Sequence, residues 1–304
     1  MAMTLLNFAA EFQSPFQDGV VRKFLNEGVL SKVLHFIPVD GQSYAYGEDA
    51  SAAGIAYRSL NESYSDSTGV VNPKVEHLRI FGGEVRTDTQ LFNKQGGAAR
   101  ANEFARRIAR AALFFDREVI KGAGATDPKA IKGLQDRLVG DQVFAAGANG
   151  AAVTKDMIDD LLDRVYGLNE SKLLIMNKAC RRALKHDLLS SSGVASVGEM
   201  GGSLPAYDGA PILVVDEDGD QTAILDFDET CGTSVVTTSI YCIHPGSTTD
   251  REGLQGLVGS QGVERHDCGC QGTYYKDVVE MNAGIAVFNA RAAARLKGIV
   301  AEAA

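Results

Sequence analysis

The side chains with the most chemistry to offer lie between residues 231 and 270, where Cys231, Cys242, Cys268 and Cys270 accompany His244 and His266. Thiolate sulfur and imidazole nitrogen are zinc donors, and a structural zinc site takes four of them. If His266-Asp-Cys268-Gly-Cys270 is extended, alternation places three soft donors on one face. Cys231 and Cys242 are the further candidates for such a site. No C-x-x-C knuckle accompanies them. Three readings stand beside a metal: a disulfide, a thiol pair between subunits, or plain buried and loop cysteines, the commonest state of such residues.

Asp216-Glu-Asp218-Gly-Asp220 invites a calcium reading. The EF-hand loop needs Gly at its sixth position and Glu at its twelfth, and those positions hold Gln221 and Phe227. Asp-Gly is also a hairpin-turn dipeptide, and a turn is the expectation. GAGATD, 122–127, carries part of a dinucleotide fingerprint but follows a helical pattern rather than a strand. P-loop, HExxH and GxSxG patterns are absent. No catalytic residue, cofactor or firm metal site is expected.

The elements around these residues are better defined. Over 97–121, Phe104, Ile108, Ala112, Phe115 and Val119 share one face at 100° per residue. Arg100, Arg106, Arg107, Arg110 and Arg117 gather on roughly the opposite face. Such a helix is about 37 Å long, enough to serve as a backbone. Its arginines form either a solvated face or a contact with a partner or DNA. A turn-rich connector follows, broken at Asp127-Pro128. Thr154 caps a short helix closed by Gly167, LLIM at 173–176 is a buried strand, and Asn177 caps a helix to about residue 189. Then come a Gly/Ser-rich loop (190–209) and strand runs at 211–215, 221–227, 234–243 and 274–281. The end reads as one more strand and an alanine-rich turn of helix.

Residues 38–90 are strand and polar loop with few large apolar side chains. Gly82-Gly83 suggests a bulge or bend. Two strands with a long tip are marginal alone in water, and bare strand edges invite other chains. Structureless loops of this length are uncommon inside compact domains. An arm covered by a neighbouring subunit fits better, and its charged residues Glu48, Asp49, Arg58, Glu62 and Arg79 are the interface candidates.

Composition sets outer bounds. With 45% hydrophobic residues over 304 positions, the chain can bury a sizeable core. A net charge of -9 argues against a dedicated DNA binder, though not against one local basic face. No stretch approaches the ~20 apolar residues of a bilayer-spanning helix, so no membrane partner is expected. The opening residues lack a basic n-region and cleavage site, so a cytoplasm, or a particle assembled there, is the expected location.

Three segments together carry a resemblance. SYAYGEDASAAGIAYRSLNESYSDSTG with HLRIFGGEVRTDTQL resembles the extended arm of tailed-bacteriophage major capsid proteins. EFARRIARAALFFDREVIKG running into TDPKAIKGLQDRL resembles their spine helix and its continuation. GIAVFNARAAARLKGI is similar to their closing strand. The resemblance covers essentially the whole chain and rests on the order and spacing of these segments.

That family implies the Hong Kong 97-like fold, an α+β architecture. Transferred here, it implies an N-terminal arm (1–36), an extended β-hairpin loop (37–90), a peripheral domain with the long spine helix (91–171 and 282–304) and an axial domain (172–281). It further implies self-assembly through hexamers and pentamers into an icosahedral shell around double-stranded DNA, in a virion assembled in the host cytoplasm. The spine arginines would face the shell's interior or its DNA. A portal and a decoration protein belong to the family's partners. The absence of a large domain ahead of the arm points to a separate scaffold protein, or none, rather than an internal one. Lys74 is the sole lysine between Val33 and Asn93, so the lysine-to-asparagine cross-linking of the founding member is not expected. An encapsulin-type compartment uses the same fold and is the alternative; a metal-binding module at 231–270 is a remoter one.

Overall fold

A computed structural model describes residues 24, 27–51, 54–64, 70–192, 206–218, 220–247 and 252–300. Phe8, Phe12 and Phe16 of the opening segment, and most of the Gly/Ser-rich loop, lie outside these residues.

Two sheets and one long helix organise the chain. The first sheet has the order β1-β11-β12-β4, formed by Phe36–Val39, Leu254–Gln271, Tyr274–Val287 and Arg79–Asp88. β1 runs parallel to β11, and the other pairs are antiparallel. Helix α3, Gly97–Lys121, packs against β4, with shorter helices α1 (Leu30–Val33) and α2 (Thr89–Gln95) ahead of it. Phe104, Ile108, Ala112, Phe115 and Val119 are all buried, so the 3.6-residue period marks the core face.

The second sheet has seven strands: β5 (Val143–Ala145), β13 (Ala293–Val300), β10 (Ser234–Ile243), β6 (Leu173–Met176), β8 (Ala210–Val214) and β7 (Ala206–Tyr207) in that order, with β9 (Glu229–Cys231) also on β10. Leu173, Ile175, Tyr241 and Ile243 face the core shared with α3. Leu174, Met176, Ile240 and Cys242 face a second core under α5 (Lys155–Arg164) and α6 (Lys178–Ser192). Burial on both faces explains why LLIM and IYCI are unbroken apolar runs. Thr154 accepts from the Met157 amide to start α5, and Asn177 accepts from the Cys180 amide at 2.7 Å to start α6.

Three expectations change. The run 221–227 is turn and bend with a single bridge, Ala223 to Glu217, rather than a strand. The two sheets draw on separate parts of the chain. The hairpin 254–287 joins β1 and β4 beside the long helix, whereas the closing strand β13 pairs with β10 and β5 in the other sheet. The alanine-rich end is strand, not helix: Ala293, Ala294 and Leu296 are fully buried, and sheet packing overrides alanine's helix propensity. No bulge sits at Gly82-Gly83, because the β4–β12 register runs through both. A Cβ on Gly82 would come within 2.0 Å of the Val279 carbonyl oxygen, so backbone proximity excludes a side chain there.

The GAGATD segment likewise has a packing role. Gly133 donates its amide to Gly122 at 2.8 Å, and a Cβ on Gly122 would meet the carbonyl oxygens of Glu118 and Ile131, each at 2.3 Å. Crossing backbones, not a phosphate, require these glycines.

Candidate assembly surface

Strands β2 (Ser43–Ser51) and β3 (Val70–His77) form a two-stranded sheet of their own, carrying 54–64 beyond it. The base is anchored. Tyr46 donates its hydroxyl to the Val287 carbonyl at 3.0 Å and packs on Phe288, with ring centroids 4.8 Å apart. Arg137, on helix α4 (Leu134–Arg137), clasps Glu76 of β3 with both guanidinium ends and donates to the Ile285 carbonyl at 3.2 Å. This fork-to-carboxylate pair ties the arm to the connector and to β12, largely out of water.

The tip is bare. Ile55, Tyr57 and Leu60 are 101%, 107% and 92% exposed, and Tyr64 is exposed too. The side chains of Ile55, Tyr57 and Leu60 gain nothing from this subunit. Four large apolar side chains along one short segment are unusual on a surface that meets only water.

Arg58 and Glu62 serve the tip itself. Arg58 donates to the Glu62 carbonyl at 3.3 Å and covers the Tyr64 ring, while Glu62 accepts from the Ser59 amide at 2.9 Å. Arg79 opens β4 at the base, and Glu48 and Asp49 pair with Asn72 and Val71 in the hairpin register. The apolar tip residues carry more burial energy than these charges, and alternation alone did not single them out, because 54–64 is not a strand.

The arginine stripe is largely engaged within the chain. Arg100 donates to Asp277 of β12 at 2.9 and 2.8 Å and also pairs with Asp267, so it does not belong to a free face. Asp277 holds Arg265 as well, at 3.0 and 2.8 Å. These carboxylates hold the Arg100 guanidinium well above its usual range. Arg107 donates to the Glu84 carbonyl at 3.0 Å and Arg106 pairs with Glu103 at 3.1 Å. Arg110 pairs with Asp220, and Arg117 lies 3.8 Å from Asp218. The acidic turn read as a possible calcium loop is thus a counter-charge for the helix. Asp218 also accepts the amides of Asp220 and Thr222 at 2.9 and 3.0 Å.

The cysteine set is dispersed. Cys231 and Cys242 are buried in the seven-stranded sheet; Cys268 and Cys270 are exposed near the end of the β11–β12 hairpin. Burial pushes the Cys242 thiol up to about 12, which disfavours the thiolate a metal needs. His266 pairs with Glu264 at 3.1 Å. Among the described residues no group of three or more His, Cys, Asp or Glu is placed to hold a metal ion. The set fails because its members belong to different sheets. Among them, too, no helix is long and apolar enough to cross a membrane.

Lys74 sits on β3 opposite Tyr46. Boiled in detergent with reductant, assembled protein should run as one band near 32.3 kDa. A ladder of multimers would reveal a covalent cross-link, and omitting reductant on the same gel tests Cys268 and Cys270.

No family model matches the chain, and no curated protein does. Solved structures do. The capsid of a native GTA particle matches with a TM-score of 0.68 at 15% identity, over 90% of this chain and 91% of that one. An encapsulin complex from Synechococcus elongatus matches with a TM-score of 0.67 at 19% identity, over 90% and 88%. Microbacterium phage Oxtober96 gives 0.58 at 12% identity, over 90% of each chain.

Proposed function

We propose that this chain, which has the Hong Kong 97-like fold over nine tenths of its length, is the major capsid protein of a tailed phage. It builds an icosahedral shell from hexamers and pentamers, carries no catalytic function, and encloses double-stranded DNA in a virion assembled in the host cytoplasm. A separate scaffold protein, a portal and a decoration protein are its other partners.

The observation that carries this reading is the arm. An anchored β-hairpin ends in an apolar tip that its own subunit does not cover. Covering Ile55, Tyr57, Leu60 and Tyr64 on a neighbour would contribute about 1.5–3 kcal/mol each. In a closed shell every subunit repeats that contact, so modest contacts sum to a stable particle. DNA inside such a shell needs no sequence-specific groove.

The encapsulin likeness supports a second reading, a compartment around protein cargo. Purified particles decide between the two. Expressed with its scaffold, the protein should give closed shells by negative-stain microscopy, holding nuclease-protected DNA when made in infected cells. Particles filled with one protein species would establish the compartment, and a monomer at every concentration by light scattering would refute both.

A further inference from the structure

Helix α5 carries Asp156, Asp159, Asp160 and Asp163, at i, i+3, i+4 and i+7. Helix α6 carries Lys178, Arg181, Arg182 and Lys185 at the same spacing. At 100° per residue each set falls in one stripe about 10 Å long. Each stripe lies opposite the buried side of its helix, formed by Ile158, Leu161 and Leu162 on α5 and by Cys180 and Leu184 on α6. The four aspartates, Lys178 and Arg182 are exposed, and Arg181 and Lys185 are partly so.

Within the chain the two stripes do not pair. Among the described residues none of the four aspartates and neither arginine stands in an ion pair. Lys178 meets Asp216 of the acidic turn, and Asp159 accepts the neutral Tyr207 hydroxyl at 2.8 Å. Neither stripe is explained by its own helix. Like charges at i, i+3 and i+4 repel one another. Lys178 opens α6 and Asp163 stands in the last turn of α5, the ends where the macrodipole disfavours those signs. An opposite stripe on another molecule relieves both effects. The spacing reads the same in either direction, so the two helices match in charge whether they meet parallel or antiparallel.

We propose that α5 of one copy of this chain docks its acidic stripe on the basic stripe of α6 of a second copy. The inference rests on the shell reading and names one contact between its subunits. Each exposed pair is weak alone. Several side by side, repeated at every copy, fix orientation and exclude like-charged approaches.

Charge reversal in the full-length protein tests the contact. Asp160→Lys with Asp163→Lys reverses α5, and Arg181→Glu with Arg182→Glu reverses α6. Each pair puts its new charge toward the helix end that favours it, so the fold should survive, which circular dichroism checks. Either reversal alone should cut the yield of sedimenting particles about tenfold, because like charges then face each other. Both reversals in one chain restore opposite signs, and the yield should return to within about twofold of wild type. A yield untouched by either single reversal, or not recovered in the combined variant, overturns the proposal and leaves the shell reading standing. Loss from the α6 reversal with a silent α5 reversal overturns it too, by assigning α6 to a phosphate backbone. A wild-type chain that never assembles overturns both readings.

Carbodiimide coupling reads the same contact on wild-type particles, whether or not a variant folds. It joins a carboxylate to a neighbouring lysine amine as an amide, with loss of water. In particles grown from mixed isotope-labelled and unlabelled chains, Lys178 or Lys185 should be coupled to an α5 aspartate of a differently labelled chain. Lys178 already meets Asp216 within its own chain, so only mixed-label products count. Mixed-label products that never include α5 overturn the proposal.

Discussion

Serine at positions 55, 57 and 60 together should abolish closed particles while leaving the subunit's melting transition essentially unchanged. The side chains removed are 101%, 107% and 92% exposed, so the folded subunit loses no packing with them. Surface changes of this kind usually fall within about 0.5 kcal/mol. Assembly is different, since each lost contact forfeits about 1.5–3 kcal/mol at every copy of the interface. Deleting Asn61 to Asn72 should have the same outcome, with circular dichroism retaining the long helix and the C-terminal strands. Should either variant unfold, the tip belongs to the subunit's own core. Normal shells from both would move the assembly contacts elsewhere on the chain.

Asp277→Ala should destabilise the fold by about 3–5 kcal/mol. The carboxylate is 1% exposed and accepts four hydrogen-bonding contacts from Arg100 and Arg265. Removing it leaves two partly buried guanidinium groups facing each other, with Asp267 as the remaining counter-charge on Arg100. The same carboxylate joins the start of α3 to the β11–β12 hairpin, so the loss also loosens helix from sheet. Asp277→Asn keeps acceptor geometry and should lie between the two proteins. Chemical denaturation of the unassembled subunit measures the difference. A loss below about 1 kcal/mol would mean that Asp267, which also pairs with Arg100, compensates.

Elements whose reasons are local were legible from residue order. The five apolar positions of α3 repeat at the helical period, and all five are buried. Thr154 and Asn177 cap the helices they precede because an N-cap needs only a side chain within three residues of the amide it serves. The arm could be suspected from its lack of large apolar residues over so long a stretch. Site chemistry was less legible. Neither Asp116 nor Asp277 was singled out, for each lies in an ordinary amphipathic or strand pattern. Asp116 finds its partners, the amides that open α1, 85 or more residues away, and Asp277 joins Arg100, 177 residues distant, to Arg265, 12 residues distant.

By itself the sequence determined the helix face, the caps, the buried strands, and the absence of a recognisable catalytic motif. All depend on interactions within a few residues, which spacing encodes. Only the tertiary structure decided which strands share a sheet, and so that 293–300 pairs beside 234–243 while 254–287 lies beside the long helix. It also decided that the acidic turn pairs with Arg110 and Arg117 and that the cysteines stand apart. Strand pairing and long-range ion pairs are settled by which surfaces meet once apolar faces are buried together. That choice follows from the summed burial of the whole chain rather than from any local spacing.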